Sequence, residues 1–145
     1  AAGLLRPQIS LLADRARRWN HIYSTLAREL SKASRLVVPI RNPKEEYVAS
    51  SIQFTLDLTA AQIECFLSEC SARGLYIKWF GTPTPIAFTS NYEHWHYMAT
   101  QPDIPKSKSV LNQLFDLRTP ISLTDEECVL IGRIVSKACS IAEAN

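Results

Sequence analysis

Residues 51–80 read SIQFTLDLTAAQIECFLSECSARGLYIKWF, and this stretch decides the fold. In Ser51–Leu56 the side chains of Ile52, Phe54 and Leu56 alternate with polar ones, the period of a strand with one buried face. Thr59 and Gln62 have the spacing of a capping box. Ile63, Phe66, Leu67 and Cys70 then fall on one helical face, and Gly74 stands where a helix ends on a left-handed residue. Leu75–Phe80 resumes as a strand. A strand, a capped helix and a further strand make one crossover unit.

Upstream, Leu36–Ile40 is a β-branched run that predicts another strand, and Asn42-Pro43-Lys44-Glu45-Glu46 reads as the loop between the two. Before it, Ile9, Leu12, Ala16, Trp19, Tyr23, Leu26 and Leu30 alternate spacings of three and four. That predicts one helix from Ile9 to Leu30, about 33 Å long, with Pro7 in its first turn. Downstream, Gly81-Thr82-Pro83-Thr84-Pro85 excludes regular structure and is the expected functional surface. An aromatic patch (Tyr92, Trp95, Tyr97) follows, then a short helix around Val110 and Leu111 and a last strand, Phe115–Thr119. Thr124 and Glu127 open a second capped helix, with Cys128, Ile131, Ile134, Val135, Ala138 and Ile141 on one face. The expected fold class is therefore α+β: a two-layer sandwich of a small, mainly antiparallel sheet with a long N-terminal helix and a C-terminal helix. Residues 1–35 form a connector helix, and residues 36–145 form the small domain.

The 145 residues contain only four glycines, so neither Gly-x-Gly-x-x-Gly nor Gly-x-x-x-x-Gly-Lys can be written. The usual cradles for dinucleotides and nucleotide phosphates are missing. A formal charge of +2 is too slight to argue for nucleic acid, and the cluster Asp14, Arg15, Arg17, Arg18 and Arg28 reads as a solvated or interface helix face. Short apolar runs predict no membrane span, and no leader is legible, which places the chain in the cytoplasm. Cys65, Cys70, Cys128 and Cys139 fall within predicted helices, with no Cys-x-x-Cys pair, and read as reduced thiols.

Candidate chemistry is sparse. His94-x-His96 has two imidazoles on one side of an extended segment, but its neighbours Trp95 and Tyr97 favour aromatic packing over a metal site, and no metal is expected. His21 reads as a surface or interface residue. No Gly-x-Ser-x-Gly elbow exposes a nucleophilic serine. Asp125, Glu126 and Glu127 suit the positive end of a helix. Of the six lysines (Lys32, Lys44, Lys78, Lys106, Lys108, Lys137), none has a carboxylate and a phosphate nest beside it in sequence. Lys78, next to the proline-rich loop, comes nearest to a Schiff-base lysine. No catalytic residue is assigned.

The order of segments resembles the C-terminal part of the DegT-type aminotransferases, pyridoxal-phosphate enzymes acting on nucleotide-linked ketosugars. Three stretches carry the resemblance. Ala1-Ala2-Gly3-Leu4-Leu5 through Arg17-Arg18 and Tyr23 is similar to that family's long helix leaving the cofactor domain. Ala72-Arg73-Gly74-Leu75-Tyr76-Ile77 is similar to an Arg-Gly-Ile pattern, and Leu123-Thr124-Asp125-Glu126-Glu127-Cys128 to a closing Leu-Thr-Asp-Glu-Asp-Val run. Where many members carry His-Tyr-Pro, this chain has Lys78-Trp79-Phe80-Gly81-Thr82-Pro83, which implies a different substrate.

The resemblance implies that the Schiff-base lysine, the aspartate that pairs with the pyridine nitrogen and the phosphate-binding residues precede Ala1. It implies a homodimeric parent enzyme that binds pyridoxal 5'-phosphate, an amino donor and a keto-sugar, with no cofactor held by this segment alone. Trp79, Phe80, Thr82, Pro83 and Arg118 would be its contribution to the substrate-pocket rim. A start at Ala1-Ala2-Gly3, with Met98 the one methionine, reads as a piece of something longer. Such a piece is expected to self-associate through its first helix. The alternative reading is a stand-alone, non-enzymatic protein-interaction domain using that helix and the aromatic loop.

Overall fold

The computed structural model describes residues 2–45, 47–84 and 99–145. The elements in chain order are α1 (Ala2–Ile9), α2 (Leu12–Leu30), β1 (Leu36–Val37), β2 (Ser51–Leu56), α3 (Ala60–Ser71), β3 (Lys78–Trp79), α4 (Pro105–Asn112), β4 (Leu114–Arg118) and α5 (Asp125–Glu143). The strands lie in the order β1-β2-β4-β3, and every neighbouring pair is antiparallel. β2 and β3 consequently run parallel, joined by the predicted crossover helix α3. β4, the last strand in sequence, fills the place between them.

The alternation in β2 places Ile52, Phe54 and Leu56 on one face of the sheet, where the register puts Phe115 and Leu117 of β4 beside them, all buried. Three helices cover that face. α2 contributes Ile22, Leu26 and Leu30, α3 contributes Ile63, Phe66 and Cys70, and α5 contributes Cys128, Val135, Ala138 and Cys139. Phe115 joins the layers: its ring stacks on Phe54 at 5.5 Å and meets Phe66 edge-on at 5.8 Å. This is the expected two-layer α+β sandwich, with α3 on the same side as the first and last helices.

Both capping boxes form. Thr59 Oγ1 accepts from Gln62 N, and Gln62 Oε1 accepts from Thr59 N at 3.1 Å. Thr124 and Glu127 repeat the exchange, with the Thr124 N–H donating to Glu127 Oε2 at 2.7 Å. Each cap is worth about 1 kcal/mol. Gly74 takes the left-handed conformation at φ 76°, and the Leu75 N–H donates back to Cys70 O at 3.0 Å. All four cysteines are free thiols. Burial pushes the Cys70 and Cys139 thiols up to about 12, which keeps both protonated and unreactive at neutral pH.

The single helix expected over Ile9–Leu30 is divided. Pro7 lies inside α1 rather than in a first turn, and the ladder slips just after it. Ser10 Oγ donates to Pro7 O, the carbonyl that would otherwise take the Leu11 N–H, while Leu11 N turns to Gln8 O instead. The remaining helix, α2, has 19 residues and is about 29 Å long. Its apolar stripe is divided too. Tyr23, Leu26 and Leu30 are buried, whereas Ile9 and Leu12 are 69% and 59% exposed.

Two strands are shorter than their patterns. Pro39 has no N–H and restricts Val38, so β1 stops at Val37. The helix cap uses the Leu75 N–H, and the β3 ladder holds only Lys78 and Trp79, with one further bond from Phe80 N to Leu114 O. The aromatic patch and His94-x-His96 lie outside the described residues. No described helix is long and apolar enough to cross a membrane.

Candidate functional site

Where β3 runs into the Gly81–Thr84 turn, the chain bends across the end of α4 and leaves an open cavity of about 470 Å³. Leu58 and Ile63 form its apolar base. Trp79, Gly81 and Pro83 make one wall; Ser109, Asn112 and Gln113 make the other, beside Ala60 at the start of α3. The wall is fixed by one bond and one close approach. Trp79 Nε1 donates to Asn112 O at 2.8 Å, and a Cβ on Gly81 would sit 2.7 Å from both Asn112 Cα and Trp79 Nε1. Only glycine allows the turn to pass so near the indole. Thr82, half-buried, donates from Oγ1 to Thr84 O at 3.2 Å and braces the turn.

Among the described residues, the lining carries no lysine, arginine, aspartate or glutamate. An indole edge, a hydroxyl and two carboxamides suit an uncharged polar ring, and they provide no general acid, base or nucleophile of suitable strength. Five of the six lysines (Lys32, Lys44, Lys106, Lys108 and Lys137) are exposed. Lys32 bonds Glu29 at 2.5 Å, and Lys78 Nζ lies 4.9 Å from the centroid of the Phe80 ring. Among the described residues, no group of three or more His, Cys, Asp or Glu side chains is arranged to hold a metal ion.

Of the five rim residues expected from the sequence, the structure places Trp79 and Pro83 in the cavity wall and Thr82 in the turn between them, where it donates to Thr84 O. Phe80 lies over Lys78 beyond the register of β3, on the outer side of the sheet. Arg118 ends β4 roughly 13 Å along the strand from Leu114, away from the cavity, and its Nε is 3.7 Å from Asp116 Oδ2. Sequence reasoning missed Ser109, Asn112 and Gln113. They join the site because β4, which follows them directly, pairs with β3.

The arginines of α2 are engaged within the chain. Arg17 pairs with Asp14, and Arg18 donates to Leu123 O and approaches Asp125 at 3.9 Å. His21 Nε2 stands 2.9 Å from Asp125 Oδ1. Together Arg18 and His21 tie α2 to the acidic first turn of α5.

No protein-family model and no curated protein sequence matches the chain. Solved structures do. The chain is similar to 3-amino-5-hydroxybenzoic acid synthase over 97% of its length (TM-score 0.76, 16% identity, 38% of that chain). It is also similar to DesI, solved in the presence of its TDP-sugar product, over 94% (TM-score 0.71, 10% identity, 34% of that chain). A DegT DnrJ EryC1 StrS aminotransferase from Brucella abortus matches over 92% (TM-score 0.66, 14% identity, 33% of that chain). The chain thus spans about a third of the length of the solved proteins it matches. At such identities the likeness is one of fold: over that third, the chain has the fold of the DegT/DnrJ/EryC1/StrS-type pyridoxal-phosphate aminotransferases.

Proposed function

We propose that this chain is the C-terminal small domain of a DegT-type aminotransferase that passes an amino group to a keto-sugar, and that it forms part of the substrate wall. The observation that carries this reading is the match of 92–97% of the chain to about one third of three solved proteins, one of them a DegT DnrJ EryC1 StrS aminotransferase, together with a cavity whose described lining carries no charged side chain. Pyridoxal phosphate supplies the amino-carrying chemistry in such an enzyme. The described residues around the cavity do not fit it: among them there is no amine to hold its aldehyde, no carboxylate to pair with its ring nitrogen and no cation for its phosphate. Those groups belong to a cofactor domain preceding Ala1.

What the described lining offers instead is a neutral surface. Trp79 presents an aromatic face held in place by Asn112, and Ser109 and Gln113 can exchange hydrogen bonds with sugar hydroxyls, with the Thr82 hydroxyl in the adjoining turn free to accept one more. Phe80 and Arg118, on the outer side of the sheet, reach the same rim only where that side meets a second domain or the partner of a homodimer. DesI was solved with a TDP-sugar product, which supports a nucleotide-linked sugar as the substrate class.

Mixed with pyridoxal phosphate and desalted, the chain is expected to retain no cofactor absorbance. A stoichiometric band that disappears when one of the six lysines is substituted would overturn the reading. A second expectation concerns α1 and the start of α2. Ile9, Leu11 and Leu12 are exposed at 69%, 46% and 59%, an apolar stripe without cover among the described residues. The isolated chain is expected to self-associate through it, and Leu12→Asp to return it to a monomer. Light scattering that shows a monomer for the unaltered chain at high concentration contradicts this, and favours the stand-alone interaction domain.

A further inference from the structure

Away from the cavity, the loop from β1 to β2 builds a second feature. The Arg41 guanidinium lies over two tyrosine rings at once, 4.3 Å from the Tyr47 centroid and 4.9 Å from that of Tyr23. The rings themselves meet edge-on at 5.8 Å. Such stacking fixes the plane of the guanidinium while leaving its N–H fork unused. Among the described residues Arg41 has no carboxylate or carbonyl partner, and the Tyr23 hydroxyl has none either, although Tyr23 is only 6% exposed. Buried tyrosine hydroxyls ordinarily find a partner.

The support is stiff on both sides. Asn20 donates from Nδ2 to Tyr47 O at 2.8 Å and accepts from Ala49 N at 3.2 Å, which anchors the loop to α2. Asn42 closes a turn directly after Arg41, accepting from Lys44 N at its side chain and from Glu45 N at its carbonyl. One chain neighbour of each stacked residue is apolar and open, Ile40 before Arg41 at 99% exposed and Val48 after Tyr47 at 53% exposed, while Asn42 and Glu46 are the polar neighbours.

We propose that Arg41, held by Tyr23 and Tyr47, is a binding site for a carboxylate carried on an apolar body, separate from the cavity at Trp79. A planar fork matches a carboxylate bidentately, and one fixed guanidinium balances one negative charge, whereas a phosphate dianion would be left half-compensated. Ile40 and Val48 supply the apolar flank. The carboxylate can come from a small organic acid or from an acidic residue in an apolar peptide segment, and the chemistry of the site is the same.

The test follows the Arg41 Nε–Hε resonance of the whole chain during titration with isovalerate, with the peptide acetyl-Leu-Glu-Leu-amide, and with inorganic phosphate, all at one ionic strength. The expected result is a saturable shift of Arg41 and of the Tyr23 and Tyr47 ring signals with isovalerate or the peptide. Phosphate should bind about tenfold more weakly, and Arg41→Gln should abolish the shift of the tyrosine signals while the rest of the spectrum is unchanged. The tighter of the two carboxylates identifies the source. If the glutamine variant does not fold, Arg41→Lys keeps the charge but loses the fork, and should weaken binding about tenfold, read on the tyrosine signals. No saturable shift, a stronger response to phosphate, or tyrosine shifts undiminished in both variants would overturn the proposal.

Discussion

Replacing Phe115 by alanine is expected to lower the stability of the domain by about 3–5 kcal/mol, a large share of the 5–15 kcal/mol that holds a domain of this kind together. The residue is fully buried in β4, between β2 and β3, and its ring is the common neighbour of Phe54 and Phe66. Truncation removes the transfer free energy of a phenyl ring and leaves a cavity at the junction of sheet and helix layer. That cavity cannot collapse easily, because Phe54 is held by the β2 ladder and Phe66 by a capped helix. Urea titration followed by circular dichroism measures the effect. Val110→Ala, at a side chain 57% exposed on α4, serves as the control and is expected to stay within about 0.5 kcal/mol. An equal loss in both variants would contradict this account of the core.

The second large effect is expected at Gly132, where α5 crosses α2. A Cβ there would lie 2.6 Å from Glu29 Cβ and within 3.4 Å of the Glu29 backbone. Gly132→Val therefore forces the two helices apart, at about 3 kcal/mol, the upper end of overpacking costs, set against roughly 0.5 kcal/mol regained from helix propensity. Glu29 adds a pH signature. Its carboxylate bonds Lys32 at 2.5 Å and Arg28 at 3.3 Å, and chiefly the Lys32 bond holds it below the usual carboxylate range. A carboxyl depressed in the folded state contributes stability above its unfolded value, about 4.3, and loses it as pH falls through the folded value. Displacing Glu29 removes that contribution. The stability gap between the variant and the unaltered chain should accordingly narrow below about pH 4. A gap constant from pH 7 to pH 3 would show that Glu29 keeps its partners when the helices move.

How much of this was legible in the sequence follows from how local each cause is. The two capping boxes and the Gly74 terminus depend on residues three to six apart, and they formed as read. The alternation of β2 needed only its own period. The division of the first helix was local too, but it turned on a hydroxyl choosing the Pro7 carbonyl, which periodicity does not register. β3 is a two-residue ladder whose partner lies more than 30 residues further on, so neither its length nor its neighbour could be read from Leu75–Phe80. The same long-range pairing brings Asn112 and Gln113 to Trp79 and carries Arg118 to the opposite end of β4. The Arg41 stack likewise joins two loop residues to one in α2 and has no sequence signature of its own.

We propose that these residues are the substrate-wall domain of an aminotransferase whose cofactor machinery lies in the chain before Ala1. Determining the coding sequence immediately 5' of the Ala1 codon tests it most directly. The account predicts an open frame that continues upstream into a cofactor domain, with an aspartate followed by a lysine in a glycine-rich setting. An initiation codon adjoining Ala1, with no such domain in frame, would contradict it.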